Sequence, residues 1–194
     1  MTDRRLIVIG ASWGGLQAVG EILAGLPGDF AVPVLIVQHR AEDTGDLLAG
    51  LLDRRGPLPV REVEDKDTLA GAGVLVAPAG YHVLVEPDHL ELSTEAHVRF
   101  SRPSIDVTLE SAADALGAGV IGVVLTGAND DGAVGLAAVR RRGGFAIVQN
   151  PETALVATMP AAARSSAAPQ AVAELSEIAP LLVQLADGEA PHAA

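Results

Sequence analysis

Short runs of leucine and β-branched side chains alternate along the chain with segments whose apolar positions recur at helical spacing. The runs at 6–9 and 34–37 are followed by the segments 16–26 and 44–55, in which leucines and valines fall on one helical face. An apolar run of this length that ends at a glycine or a polar residue is typical of a strand buried on both faces. The first part of the chain therefore predicts two β-α units.

The middle of the chain departs from this alternation. Two short strands are predicted at 60–63 and 74–77, and the apolar segments 81–85 and 90–92 flank a Pro-Asp turn as a hairpin would. We expect this middle section to be antiparallel.

The last third of the chain returns to the β-α order. It predicts helices at 105–116, 133–142 and 178–185 and strands at 120–125 and 145–148. The whole pattern predicts an α/β fold with a doubly wound, mostly parallel sheet flanked by helices, and an antiparallel β-hairpin near residues 81–92. We expect one domain over 1–186 and a disordered tail over 187–194.

Composition narrows the classes of function. Acidic residues outnumber basic ones 25 to 13, the net charge is −12, and aromatic residues make up only 3% of the chain. A surface of this kind does not suit a nucleic acid. The absence of cysteine excludes disulfides, thiolate metal sites and a cysteine nucleophile. No signal peptide pattern or bilayer-length apolar stretch is present, so we expect a cytoplasmic protein that does not insert into membranes.

The glycine-rich stretch "VIGASWGG", residues 8–15, follows the first predicted strand. Free backbone N–H groups at a helix start bind phosphate, which is one chemistry for this turn. Gly10-Ala11-Ser12-Trp13-Gly14 also fits G-x-S-x-G, the sharp turn that exposes a serine nucleophile. A nucleotide site would place an acidic residue after the second strand, where Gln38 and His39 stand instead. The lack of an acidic residue there favours a serine nucleophile at the glycine-rich turn, and a phosphate site stays the alternative.

Polar side chains follow three of the predicted parallel strands. Ser12 follows the first and His39 the second, and the turn after 120–125 contains Asp130 and Asp131. Because the carboxyl ends of parallel strands meet at one edge of a sheet, a hydroxyl, an imidazole and a carboxylate converge there. These are the groups of nucleophilic acyl transfer. Each also has a structural interpretation, since histidine serves as a scaffold residue and aspartate as a turn or cap residue.

Several motifs together resemble the catalytic domain of the chemotaxis protein-glutamate methylesterases, the CheB family. The resemblance runs in the family's order through "VIGASWGG", "VLIVQHR", "VAPAGYHVLVE", "SRPSIDVTLES", "GVVLTGANDDGAVGL" and "IVQNPETALVATMP". It implies that Ser12 is the nucleophile, that His39 is the general base and that Asp131 orients it, because the family's aspartate directly precedes the motif glycine. It implies hydrolysis of glutamate γ-methyl esters in a chemoreceptor-like protein, deamidation of glutamine as a related reaction, and no cofactor or metal.

The residues around this triad depart from the family pattern. Trp13 stands where a small hydroxyl residue is usual, Arg40 where an apolar residue is usual, and Ala128 where methionine is usual. The resemblance implies that the backbone N–H of Ala128 helps to hold the oxyanion. Trp13, His82 and Arg102 are further candidates for oxyanion or substrate binding, with a scaffold role as the alternative for His82 and Arg102. These departures bear on the substrate more than on the reaction.

Family members of the best-known kind carry an N-terminal receiver domain that covers the active site. This chain begins directly at the catalytic strand, so we expect no gating by phosphorylation in cis. The expected partners are a methylated chemoreceptor-like protein as substrate and a receiver-domain protein in trans. Two alternatives stay open, a small carboxylesterase with another substrate and a noncatalytic phosphate- or nucleotide-binding domain.

Overall fold

The computed structural model describes residues 5–41, 47–71 and 73–188. In these ranges, strands and helices alternate in the order β1 (Leu6–Ala11), α1 (Gly15–Gly25), β2 (Val34–Gln38), α2 (Leu47–Leu52), β3 (Val60–Glu62), β4 (Val74–Val76), β5 (His82–Val85), β6 (Leu90–Ser93), α3 (Ile105–Leu116), β7 (Val120–Val124), α4 (Ala133–Arg141), β8 (Phe145–Gln149), α5 (Thr158–Ala167), β9 (Ala171–Ala173) and α6 (Leu175–Ala186).

Seven strands form one parallel sheet in the order β3-β4-β2-β1-β7-β8-β9. The central strands β2, β1 and β7 are buried along their whole length, as their unbroken apolar runs predict. The chain passes from β1 to β2 on one side and later reaches β7 on the other side. The topological switch point therefore lies at the carboxyl end of β1, where open parallel sheets bind their ligands.

Helices cover both faces of the sheet and form two apolar cores. Helices α1, α2 and α6 pack on one face, with side chains such as Leu23, Leu52 and Leu182. Helices α3, α4 and α5 and the β5–β6 hairpin cover the other face, with side chains such as Leu109 and Leu136. The predicted doubly wound α/β architecture with a hairpin is confirmed.

The prediction of an antiparallel middle section is wrong for β3 and β4. Both strands run parallel to β2 and extend the main sheet, and only the β5–β6 pair is antiparallel. Each of these two strands has three residues. So short a run contains too little pattern to indicate the direction of a strand.

The end of the chain contains elements that the apolar pattern did not predict. Helix α5 is rich in alanine and serine and so lacks a clear apolar stripe, and β9 has only three residues. Helix α6 begins at Leu175 rather than at 178, because Glu174 and Glu177 form a capping box there.

Two predicted segments extend beyond the described residues. Of the predicted helix 44–55, α2 covers Leu47–Leu52, and 42–46 lie outside the described residues. Of the predicted tail 187–194, only 187–188 are described, as a turn after α6. None of the helices in the described ranges has the length and hydropathy to span a membrane.

Candidate active site

Ser12 lies at the end of β1, in the turn that leads into α1. Its N–H donates to the carbonyl of Thr126 at 3.0 Å, and its carbonyl accepts from the N–H of Gly15 at 2.9 Å. Gly14 has a φ of +81°, and a Cβ there would lie 2.7 Å from Leu155 Cδ2. Glycine is therefore required at this position for both conformation and space. The main chain fixes the partly exposed Ser12 side chain at the switch point.

Ser12 lines a cleft of about 630 Å³ at the carboxyl edge of the sheet. His39, which follows β2, lines the same cleft. Among the described residues, no hydrogen bond joins Ser12 Oγ to the His39 imidazole. Hydrogen bonds between a nucleophile and its base are often long in free enzymes and tighten only with substrate. The other side chains around the cleft are Arg40, Ala41, His97, Arg99, Phe100, Ser101, Arg102 and Asn129.

Asp131 holds the His39 ring from the side away from solvent. His39 Nε2 lies 2.7 Å from Asp131 Oδ2, and Asp131 is completely buried. The carboxylate also accepts hydrogen bonds from Ser104 Oγ and from the N–H groups of Ile105 and Asp106 at the start of α3, at 2.7–2.9 Å. Burial raises the pKa of Asp131, but the His39 ring and these backbone donors outweigh it and hold the pKa below its ordinary value. Ionised Asp131 therefore accepts a hydrogen bond from His39 Nε2–H, which leaves Nδ1 of the neutral ring as the nitrogen that can take a proton.

The neighbouring Asp130 points away from this pair. Its side chain is 57% exposed and forms an ion pair with Arg99. Of the two adjacent aspartates, Asp131 is the one that the structure places against His39.

A second buried carboxylate, Asp106, belongs to the same network and was not predicted. Its Oδ1 accepts from the N–H groups of Gly132 and Gly135 at the start of α4, at 2.9 and 2.7 Å, while Asp131 caps α3. Asp131, which precedes α4, thus caps the N-terminus of α3, and Asp106 of α3 caps the N-terminus of α4. Negative charge at a helix N-terminus is stabilising. Burial raises the pKa of Asp106, and the charge of Asp131 adds to this rise, against the opposing hydrogen bonds from Gly135 and Arg99. An acid in the first turn of a helix is so common that the sequence contains no signal for this role.

The backbone N–H groups of Trp13 and Ala128, the predicted oxyanion donors, are not used in hydrogen bonds within the described fold. By contrast, the N–H of Gly127 donates to the carbonyl of Val156 at 3.1 Å. Side-chain identity at Trp13 and Ala128 does not affect these two donors.

Arg102 and His82, the other predicted contacts, lie in different surroundings. Arg102 lines the cleft and donates to two backbone carbonyls of the preceding loop. His82 is only 2% exposed, its Nδ1 accepts from the N–H of Ser104, and its Nε2 donates to the carbonyl of Ala96. The buried His82 ring uses both of its nitrogens in hydrogen bonds and so stabilises the segment before α3. The structure therefore favours the scaffold alternative for His82 over contact with substrate.

We expect His82→Ala to lower the free energy of unfolding by about 2–3 kcal/mol, because it removes a buried ring and leaves backbone groups unpaired. That loss corresponds to a Tm decrease of roughly 5–10 °C. Thermal unfolding followed by circular dichroism measures this effect, and KM for an aryl ester should stay unchanged. The exposed His97 of the cleft provides the comparison, since His97→Ala should leave Tm nearly unchanged. A raised KM with an unchanged Tm in His82→Ala would return His82 to the binding site.

A serine, a histidine and a buried aspartate at the switch point of a parallel sheet define a hydrolase of α/β architecture. The model of the CheB methylesterase family matches residues 7–182. The crystal structure of the Thermotoga maritima CheB methylesterase catalytic domain superposes with a TM-score of 0.89 at 30% identity, covering 93% of this chain and 98% of that one. The chain belongs to the CheB methylesterase family, as its motifs predicted.

Two curated relatives of this chain differ in length. A Leptospira interrogans protein, provisionally named a protein-glutamate methylesterase/protein-glutamine glutaminase, is 41% identical over 180 residues, which are 92% of this chain and 93% of that protein. A protein-glutamate methylesterase/protein-glutamine glutaminase of Carboxydothermus hydrogenoformans is 40% identical over 185 residues. That match covers 91% of this chain but only 54% of the relative.

Proposed function

We propose that this chain hydrolyses γ-methyl esters of glutamate side chains in a chemoreceptor-like protein and releases methanol. The observation that carries the proposal is that His39, which lies 2.7 Å from buried Asp131, lines the same cleft as Ser12. Membership of the CheB methylesterase family supports the ester chemistry. Deamidation of glutamine side chains is the second proposed reaction, since the names of several relatives include it and the same groups perform it.

The first half of the reaction forms an acyl-enzyme. Ser12 Oγ attacks the ester carbonyl while His39 Nδ1 takes its proton, and ionised Asp131 stabilises the imidazolium through Nε2–H. The tetrahedral oxyanion accepts hydrogen bonds from the N–H groups of Trp13 and Ala128. The carbon–oxygen bond to the methoxy group then breaks, and His39 gives that oxygen the proton, so that methanol leaves.

The second half returns the enzyme to its starting state. A water molecule attacks the ester carbonyl of the acyl-enzyme while His39 Nδ1 takes one of its protons. The bond to Ser12 Oγ breaks, His39 returns the proton to Oγ, and the substrate side chain leaves as a carboxylic acid. This acid releases its proton to water at neutral pH and becomes a glutamate carboxylate. Each step uses only water and groups of this chain.

The lining of the cleft favours a protein as substrate over a small ester. Three arginines, Arg40, Arg99 and Arg102, surround the cleft of a chain whose net charge is −12. Arg40 pairs with Glu62, and Arg99 pairs with Asp106 and Asp130, so these two arginines add little net positive charge to the cleft. Arg102 donates to backbone carbonyls, and its positive charge attracts an acidic protein surface. Phe100 at the cleft is fully exposed, and Trp13 beside Ser12 is 70% exposed. Exposed aromatic and arginine side chains are the usual anchors of protein contacts.

Methanol release from a methylated chemoreceptor fragment is the direct test, combined with fluorophosphonate labelling of Ser12. Methanol release together with Ser12 labelling supports the proposal. Hydrolysis of an aryl ester without methanol release would instead support the carboxylesterase alternative. A protein that binds a nucleotide and is not labelled would support the phosphate-binding alternative. A receiver-domain protein in trans is the second partner we propose, and a change in rate on adding its phosphorylated form tests it.

We expect Arg102→Gln to raise KM for an acidic methylated peptide about 3- to 10-fold with little change in kcat, since it removes a positive charge from the approach to Ser12. KM for a neutral aryl ester should stay unchanged. Arg61→Gln is the matched control, because Arg61 lies on edge strand β3, pairs with Asp67 and does not line the cleft. An unchanged KM with a lowered Tm would assign Arg102 to the scaffold.

A further inference from the structure

Gln38, the last residue of β2, joins the two main-chain segments that hold Ser12 and His39. Its side-chain Nε2 donates to the carbonyl of Ser12 at 2.8 Å and to the carbonyl of His39 at 3.1 Å. Both protons of the amide group are therefore used, one on each segment. The residue is only 8% exposed, so these hydrogen bonds are largely shielded from solvent.

The oxygen of the same amide group is left without a partner. Gln38 Oε1 is buried and accepts no hydrogen bond from any residue that the structure describes. It faces Gly15, where a Cβ would lie 2.0 Å from it. A buried polar atom without a partner is costly, and an apolar side chain of the same size would avoid that cost. Packing alone therefore does not explain a glutamine here, whereas the two contacts of its Nε2 do.

Few other contacts set the position of Ser12 relative to His39. The two residues follow neighbouring strands, and the N–H of His39 donates to the carbonyl of Ala11 at 3.0 Å. Asp131 orients the imidazole but does not touch Ser12, and Thr126 holds the Ser12 turn but does not touch His39. Within the described ranges, the Gln38 amide is the side chain whose hydrogen bonds reach both segments.

We infer that Gln38 is a positioning residue, whose amide fixes the distance and orientation of Ser12 relative to His39. This inference rests on the proposed function, in which Ser12 and His39 exchange a proton. A displacement of about 1 Å between reacting groups can reduce a rate about 100-fold. Loss of the amide should therefore affect the chemical step rather than substrate binding.

The test replaces Gln38 with methionine, which has a similar volume and no N–H donor. We expect kcat for an aryl ester, and the rate of fluorophosphonate labelling of Ser12, to fall together by about 10- to 100-fold, with KM within about twofold. Both are measured at a temperature where circular dichroism shows the variant fully folded. Gln170→Met is the matched control, with wild-type rates expected. The Gln170 amide also bonds two backbone groups, the N–H of Ala146 and the carbonyl of Gly144, but at the opposite edge of the sheet.

Gly15→Ala provides a second variant that keeps the amide but displaces it, because the added Cβ would lie 2.0 Å from Oε1, its closest contact, and 2.7 Å from Ala11 Cβ. It should lower kcat and the labelling rate in the same way, and it serves as the test if Gln38→Met does not fold. Folded variants that keep wild-type kcat and labelling rates, whatever their Tm, would overturn the inference alone. A wild-type chain that fluorophosphonate does not label at Ser12 would overturn the proposed function and this inference together.

Discussion

Replacing Ser12 with alanine is expected to reduce hydrolysis of both a methylated receptor fragment and an aryl ester by about 10³- to 10⁶-fold. The substitution removes only the Oγ atom, and backbone hydrogen bonds with Thr126 and Gly15 hold the turn without it. The fold should therefore persist, with a Tm within about 2 °C of the wild type. Steady-state kcat and a thermal unfolding curve on the same purified sample measure both effects.

Ser101, the second serine that lines the cleft, provides the control for this substitution. Its described hydrogen bonds are backbone contacts with Val98, so Ser101→Ala should keep kcat within about twofold of the wild type. An active Ser12→Ala variant beside an inactive Ser101→Ala variant would move the nucleophile to Ser101.

The convergence of Ser12, His39 and Asp131 was predictable because each follows a strand that an unbroken apolar run identifies. Parallel strands bring their carboxyl ends to one edge, so strand identity alone places these three residues together. The G-x-S-x-G turn and the family motifs added the order and the spacing. Neither source of information required a knowledge of how the helices pack.

The residues that support this constellation were not predictable in the same way. Asp106 lies in α3 and accepts a hydrogen bond from Gly132, which directly precedes α4 and is 26 residues further along the chain. Only the packing of α3 against α4 brings the two residues together. The apolar pattern locates each helix but contains nothing about how two helix N-termini face each other. Gln38 is a single polar residue at a strand end, and its contacts depend on the separation of two turns. His82 is buried because the segment before α3 covers it, which no local pattern shows.

Replacing Asp131 with asparagine is expected to lower kcat by up to about 10⁴-fold, because a neutral amide no longer stabilises the imidazolium and favours the wrong tautomer of His39. The structure adds a loss of stability of about 2–4 kcal/mol. The two oxygens of Asp131 accept from the His39 ring, from Ser104 Oγ and from three backbone N–H groups, and the NH₂ group of an asparagine would face some of these donors. Assays of kcat therefore belong at a temperature where chemical denaturation shows the variant still folded.

The pH dependence of stability separates the charge of Asp131 from its shape, with Asp130→Asn as the control. Because the folded protein lowers the pKa of Asp131, the ionised carboxylate stabilises the fold at neutral pH, and this contribution is lost as the pH falls below about 4. The difference in stability between the wild type and Asp131→Asn should thus be largest near pH 7 and should narrow in acid. The exposed Asp130 pairs only with Arg99 among the described residues, so Asp130→Asn should keep kcat within about twofold and show little of this pH dependence. If Asp130→Asn lost activity while Asp131→Asn kept it, the carboxylate that orients His39 would be Asp130 instead.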